Sequence, residues 1–210
     1  MSIFTRRNAI IAGAAGGAAA LLGSALVPLA GRVQAQDLTV EDVLFDPDNP
    51  VLGNPEGDVT IVEFFDYQCP YCKVNHRDLT EVVARDGNVR LVMKDWPIFG
   101  APSVRASQLT LGAVSVGAYE AANTALMATK GRLSDAGINE ALQKAGLDVA
   151  RLDAAYRANR ATWDGLMTRN SFQAEQLGLQ GTPAFIIGTT IFPGAMDRKA
   201  LLEAITTSRG

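Results

Sequence analysis

In a chain of 210 residues there are two cysteines, and both fall in one Cys69-Pro70-Tyr71-Cys72 unit at the junction of a strand pattern and a helix pattern. Val59 to Phe65 (Val-Thr-Ile-Val-Glu-Phe-Phe) is β-branched and aromatic almost throughout, the composition of a strand buried on both faces. After Cys69, Pro70 suits a first helical turn, and Val74, Leu79, Val82 and Val83 give an approximate apolar face up to Asp86-Gly87. The two sulfurs have no other cysteine to pair with. A bridge between them closes a loop too short to restrict the unfolded chain much, so the pair reads as chemical rather than architectural.

The remaining pattern places that junction in a larger order. Val89 to Lys94 reads as a second strand, ended by Trp96-Pro97 and Gly100-Ala101-Pro102. From about Ser103 to Leu177 no segment reads as a strand. Ser134 and Asp148 serve as N-caps there and Gly146 and Gly178 as C-terminal stops, which gives three or four helices. Gly181-Thr182-Pro183 then leads into a strand at Ala184 to Ile187, a turn at Gly188, a strand near Thr190 to Phe192 and a helix from about Asp197 to Thr207. The order is β-α-β, helical block, β-β-α. It predicts one α/β domain over 59–210 with a helical insertion at about 103–177, preceded by a surface lead-in segment at 36–58 that is rich in Pro, Gly, Asn and Asp and carries a short apolar piece at Val43 to Phe45.

The N-terminus has the build of an export signal. Met1 to Arg7 is short and basic, Ala9 to Ala30 is uncharged and rich in Ala, Gly and Leu, and Val33-Gln34-Ala35 has the small-residue pattern that precedes a cleavage site. Cleavage is expected after Ala35. Thr5-Arg6-Arg7-Asn8-Ala9-Ile10 resembles a twin-arginine motif, with general export as the alternative route and an uncleaved N-terminal anchor facing the periplasm as the alternative fate. Either way the domain is expected in an oxidising compartment, where a lone dithiol meets both disulfides and nascent thiols. Of the 19 Lys and Arg, three (Arg6, Arg7 and Arg32) belong to the leader, so the mature part sets 16 bases against 22 acids. A net charge of −6 argues against nucleic acid as a partner, because phosphates need basic surfaces.

A Cys-x-x-Cys at a helix start has a defined use. Helix-start amides and the positive end of the dipole stabilise an anion, so Cys69 is expected to be the attacking thiolate. Cys72, one turn inside the helix, is placed to break a mixed disulfide and close the internal bridge. Pro70 and Tyr71 tune the pair by setting how many hydrogen bonds reach Cys69. Glu63 is out of place in a buried strand; an isolated carboxylate there should have a raised pKa, and the plainer alternative is a solvated edge residue. Lys73 reads as solvated, His76 as too far along the helix for direct contact, and Trp96 and Trp163 as core or groove aromatics. The same sulfurs are open to another reading, as half of a metal site. The chain offers one histidine, His76, and otherwise only carboxylates to complete such a set, and no metal or other cofactor is assigned.

Glu63-Phe-Phe-Asp-Tyr-Gln-Cys69-Pro-Tyr-Cys72-Lys73, together with Gly181-Thr182-Pro183-Ala-Phe-Ile187, resembles the DsbA-like branch of the thioredoxin superfamily over essentially the whole mature chain. The resemblance implies a thioredoxin-like fold with an inserted helical block and a thiol-disulfide oxidoreductase activity. It implies a cis peptide bond before Pro183 that presents the backbone of Thr182 to a substrate strand, and a proton-relaying role for Glu63 at the resolving thiol. Oxidases, isomerases and reductases share these motifs. The 23 residues from Gln36 to Asp58 leave no room for a dimerisation domain, which favours a monomeric periplasmic oxidase. Its partners would be thiol-containing exported proteins and a membrane-bound redox partner. The competing class is a non-enzymatic envelope protein that holds metal or protein partners through the same thiols.

Overall fold

A computed structural model describes residues 38–210; the leader expected at 1–35 lies outside them. Strand β2, Val59–Phe65, runs parallel to β3, Val89–Asp95, in a register from Val59↔Val89 to Phe65↔Asp95. The crossover between them is helix α2, Pro70–Asp86, capped at its C-terminus by Gly87 at φ 73°, a left-handed conformation that favours glycine. On its other side β2 pairs antiparallel with β4, Ala184–Ile187, which turns at Gly188 into the edge strand β5, Thr190–Pro193. Helix α8, Arg198–Arg209, capped by Asp197, closes the chain.

The segment expected as a surface lead-in differs from that reading. It contains helix α1, Val40–Leu44, and strand β1, Val51–Gly53, which pairs antiparallel with β3. Thr39 and Asp42 form a reciprocal capping box that lets so short a helix exist, and burial of Val43 and Leu44 holds it on the sheet. The sheet therefore has five strands in the order β1-β3-β2-β4-β5. The helical block also exceeds expectation, with five helices instead of three or four: α3 Ala101–Val114, α4 Tyr119–Met127, α5 Asp135–Lys144, α6 Val149–Ala158 and α7 Arg160–Gln176. Ser134 and Asp148 cap α5 and α6 as expected.

Alternation along β2 and β3 divides the interior into two layers. Ile61 and Phe65 join Leu91 and Met93 in a core with Leu79 and Val82 of α2, Leu109 of α3, Leu126 of α4 and Leu201 of α8. Val62 and Phe64 join Val92 and Trp96 in a second core with Val43 and Leu44 of α1 and Ala174 of α7. Trp163 lies in a satellite cluster with Leu111, Tyr156 and Leu166, so both tryptophans are core residues. Val74, assigned to the apolar face of α2, is instead 77% exposed, because the buried stripe runs through Cys72, Asn75, His76, Leu79, Val82 and Val83 and leaves position 74 on the outer face. Among the described residues no helix is long and apolar enough to cross a membrane.

Candidate active site

Cys69 is the N-cap of α2, and its Sγ accepts a hydrogen bond from the backbone N–H of Cys72 at 3.3 Å. Pro70 follows it because a first helical position needs no N–H. The same Sγ, as a thiol, donates to the Thr182 carbonyl oxygen at 3.1 Å. The hydrogen bond from the Cys72 thiol is the largest influence on Cys69, with helix-start N–H groups adding to it, and against the effect of burial they hold its pKa down to about 6. Cys72 moves the opposite way. Burial pushes it well above the ordinary thiol range, and its role as hydrogen-bond donor to Cys69 and the charge of Glu63 push it further. Cys72 and Cys69 are almost equally covered, at 0% and 1% exposed, so the difference between them comes from hydrogen bonding and depth of the thiol group, not from the residues' exposure.

Glu63 lies on the same layer as the cysteines, fully buried, with neither carboxylate oxygen hydrogen-bonded among the described residues. Burial, and secondarily the charge of Cys69, raises its pKa to about 8. The solvated-edge alternative does not hold, since β3 and β4 flank β2 on both sides. The Thr182–Pro183 bond is cis, and Thr182 reaches Cys69 from across the sheet. Pro70 and Tyr71 are exposed beside it. The motif residues Glu63, Cys69, Cys72, Thr182 and Pro183, up to 120 positions apart in sequence, thus converge. His76 is buried further along α2, where desolvation lowers its pKa to about 4, and neither ring nitrogen is hydrogen-bonded among the described residues. Lys73 is not simply solvated; it is partly buried, and its Nζ donates to the Gly131 carbonyl oxygen at 3.3 Å.

Several residues that sequence reasoning passed over brace the site. Asp66 is buried and accepts from the N–H groups of Gln68, Ile98 and Phe99 at 2.6, 2.7 and 3.0 Å and from Ser103 Oγ at 2.7 Å. Gln68, next to Cys69, spans three segments: its Nε2 donates to the Phe99 carbonyl at 2.9 Å and to Ser103 Oγ at 3.1 Å, and its Oε1 accepts from Leu133 N–H at 3.1 Å. Asp95, fully buried at the end of β3, has its pKa raised to about 7 by burial. The reasoning applied to Glu63, a charge in an apolar strand, also picks out Lys94-Asp95. A shallow groove of about 370 Å³ runs along Gly181, Thr182 and Pro183 towards Ile191 and Pro193. A larger one, about 890 Å³, lies between the β4–β5 turn and α8 and contains neither cysteine. Among the described residues no three His, Cys, Asp or Glu side chains gather as a metal site.

An oxidation-capable thiol pair at a helix start, faced by a cis proline and backed by a buried acid, defines a class of thiol-exchange proteins built on the thioredoxin fold. The thioredoxin family profile matches residues 46–207. A thioredoxin-like oxidoreductase from Silicibacter pomeroyi superposes with a TM-score of 0.78 at 37% identity, covering 82% of this chain and 98% of the other. The thiol-disulfide exchange protein α-DsbA2 of Wolbachia pipientis gives 0.75 at 28% identity, covering 80% and 90%. A periplasmic thioredoxin-like protein of Salmonella enterica serovar Typhimurium gives 0.69 at 30%, covering 80% and 94%. The chain belongs to the thioredoxin family, in its DsbA-like branch, and is similar to thiol-disulfide exchange proteins of that branch. Among curated proteins it is 27% identical over 168 residues to the Na(+)/H(+) antiporter NhaA 1 of Salinispora arenicola. That match takes in 78% of this chain but 25% of the antiporter, so the chain spans about a quarter of the length of such relatives.

Proposed function

We propose that the protein is a periplasmic dithiol oxidase that introduces disulfides into exported proteins. The opposed shifts of the two thiols carry this reading. A thiolate on Cys69 that is held down to about 6 stabilises the reduced pair, and a stabilised reduced pair makes its disulfide a strong oxidant. In the reaction a substrate thiolate attacks Cys69 Sγ of the internal disulfide, forming a mixed disulfide and releasing Cys72 as a thiolate. Glu63, protonated near neutral pH, is the nearby acid that supplies the proton to Cys72. A second substrate thiolate then attacks its own sulfur of the mixed disulfide and expels Cys69. Two electrons pass from the substrate dithiol to the Cys69–Cys72 pair, and a membrane-bound redox partner takes them up.

The cis Thr182–Pro183 step lends its carbonyl edge to the incoming substrate strand. Pro70 leaves the first helical N–H position empty, and with Tyr71 it sets how many hydrogen bonds reach Cys69. Export behind the leader at 1–35, with cleavage after Ala35, completes the proposal, and mass measurement of the mature protein tests the cleavage. The protein is read as a monomer without a cofactor. Titration of the pair against glutathione is expected to give a potential of about −120 to −180 mV, whereas about −270 mV would transfer the reading to reduction or isomerisation.

A further inference from the structure

Three cations lie on segments that are tied together at one edge of the site. The connection between α4 and α5 carries exposed Lys130 and Arg132, and it is tied to the active-site segment at two points. Lys73 Nζ donates to the Gly131 carbonyl at 3.3 Å, and Leu133 N–H donates to Gln68 Oε1 at 3.1 Å. None of the three forms an ion pair among the described residues, although cations elsewhere do: Arg198 with Asp78 and Glu81, Arg209 with Asp58 and Asp86. The nearby carboxylates are engaged elsewhere: Asp135 opens α5 at the positive helix end, and Glu140, which lines the same hollow as Lys130 and Arg132, pairs with Lys144 at 2.5 Å. Alongside this rim, Tyr71 and Phe99 are 69% and 50% exposed, and Gln68 Nε2 holds the Phe99 carbonyl at 2.9 Å. Gln68 thus ties an apolar segment and a basic segment to the residue before Cys69.

Unpaired cations gathered beside exposed aromatics, on a chain of net acidic charge, form a complementary surface and not a random scatter of solvated charge. We propose that this edge receives the polypeptide flanking the reacting cysteine of a substrate, and that it selects segments pairing an acidic residue with an apolar one. The inference rests on the disulfide-donor reading of the Cys69–Cys72 pair and names its substrate class.

The test uses the oxidised protein with three reductants: a dithiol peptide whose cysteines are flanked by Glu and Leu, its counterpart with Lys in place of Glu, and dithiothreitol. At low salt the acidic peptide is expected to react on the order of tenfold faster than the basic one, and the gap should close at 0.5 M salt. Charge reversal at Lys130→Glu with Arg132→Glu should invert the preference. The charge-matched pair Arg85→Glu with Arg151→Glu, exposed but away from the site, should leave it in place. Equal rates for the two peptides, or inversion by the remote pair as well, overturn the surface while dithiothreitol turnover leaves the enzyme reading standing. If dithiothreitol itself is not oxidised, the donor reading fails and the surface proposal fails with it.

Discussion

The two layers of the sheet bury ionisable side chains in opposite ways. On the layer of α2, Glu63 and Asp95 are fully buried and their carboxylate oxygens have no hydrogen-bond partner among the described residues. On the layer of α1 and α7, Lys94 is equally buried but surrounded. In the amide orientation that satisfies both ends of Asn49, Asn49 Oδ1 accepts from Lys94 Nζ at 3.0 Å and Nδ2 donates to Asn170 Oδ1 and the Met93 carbonyl at 3.2 Å. Asn170 in turn donates to the Asp95 carbonyl at 3.1 Å, and Lys94 Nζ stands 5.8 Å from the Phe64 ring centre. A satisfied buried polar group ties elements together; an unsatisfied one is a cost that persists where chemistry uses it. The same strands thus carry a structural layer and a reactive layer, distinguished by whether the buried charge has partners.

The largest effect expected from this contrast is at Glu63. Its pKa is about 8 in the folded protein against 4.5 for an ordinary glutamate, so between those values the unfolded chain ionises while the folded one keeps its proton. The contribution of Glu63 to stability should therefore be full below pH 4.5 and fall as pH rises towards 8, by about 5 kcal/mol. Glu63→Gln should match the wild type in urea unfolding at pH 4 and exceed it at pH 8. The same variant should slow thiol exchange near neutral pH, because the proton donor to Cys72 is gone. Parallel stability curves for the two proteins across this range would show that Glu63 is solvated or paired, and the contrast between the layers would fail.

Lys94 sharpens the comparison with a smaller effect and a different pH window. Burial lowers its pKa from 10.5 to about 8, so stability lost to holding the charged form should be recovered as pH rises from 8 to 10.5. Lys94→Met removes that cost together with the hydrogen bonds to Asn49 and Asn170, each worth about 1 kcal/mol. The two nearly cancel at pH 7, where the variant should lie within about 2 kcal/mol of wild type. At pH 10.5 the cost is gone and the variant should be the less stable protein. A variant less stable by the same amount at both values would mean that Lys94 is not desolvated.

The reactive layer was more legible in the sequence than the structural one. A lone Cys-x-x-Cys after a buried strand, a misplaced acid at Glu63 and a distant Thr182-Pro183 each stand out against their local background, and the fold order follows from strand and helix periods on either side. The α1 and β1 segment was missed because five helical residues and three strand residues are shorter than any periodic window, and the stability of both comes from burial on the sheet. The helix count fell short because Gly117, at φ 70°, ends α3 in a turn, and Asn159 serves as both the last cap of α6 and the first of α7. Asp66 and Gln68 read as ordinary polar residues before a motif; their bracing roles depend on Phe99, Ser103 and Leu133, which come near only in the folded chain.

The smallest effect belongs to the outer edge of the structural layer. Arg169 of α7 donates to both oxygens of Asp46, at 3.0 and 3.2 Å, and to Asp48 at 2.6 Å, and so ties the turn after α1 to the helical block. The geometry is that of a strong ion pair, but the arginine is 42% exposed, and water and salt screen such a bridge. Arg169→Ala should cost about 1 kcal/mol at low ionic strength, less at 1 M salt, and leave the dithiol potential where it was. The two acids left behind repel each other at close range in the same turn, which makes the loss larger than for a single exposed pair. If the potential shifts with the stability, the two layers are coupled through Lys94 and Asn170, and the division between a structural and a reactive layer has to be redrawn along α7 instead of along the sheet.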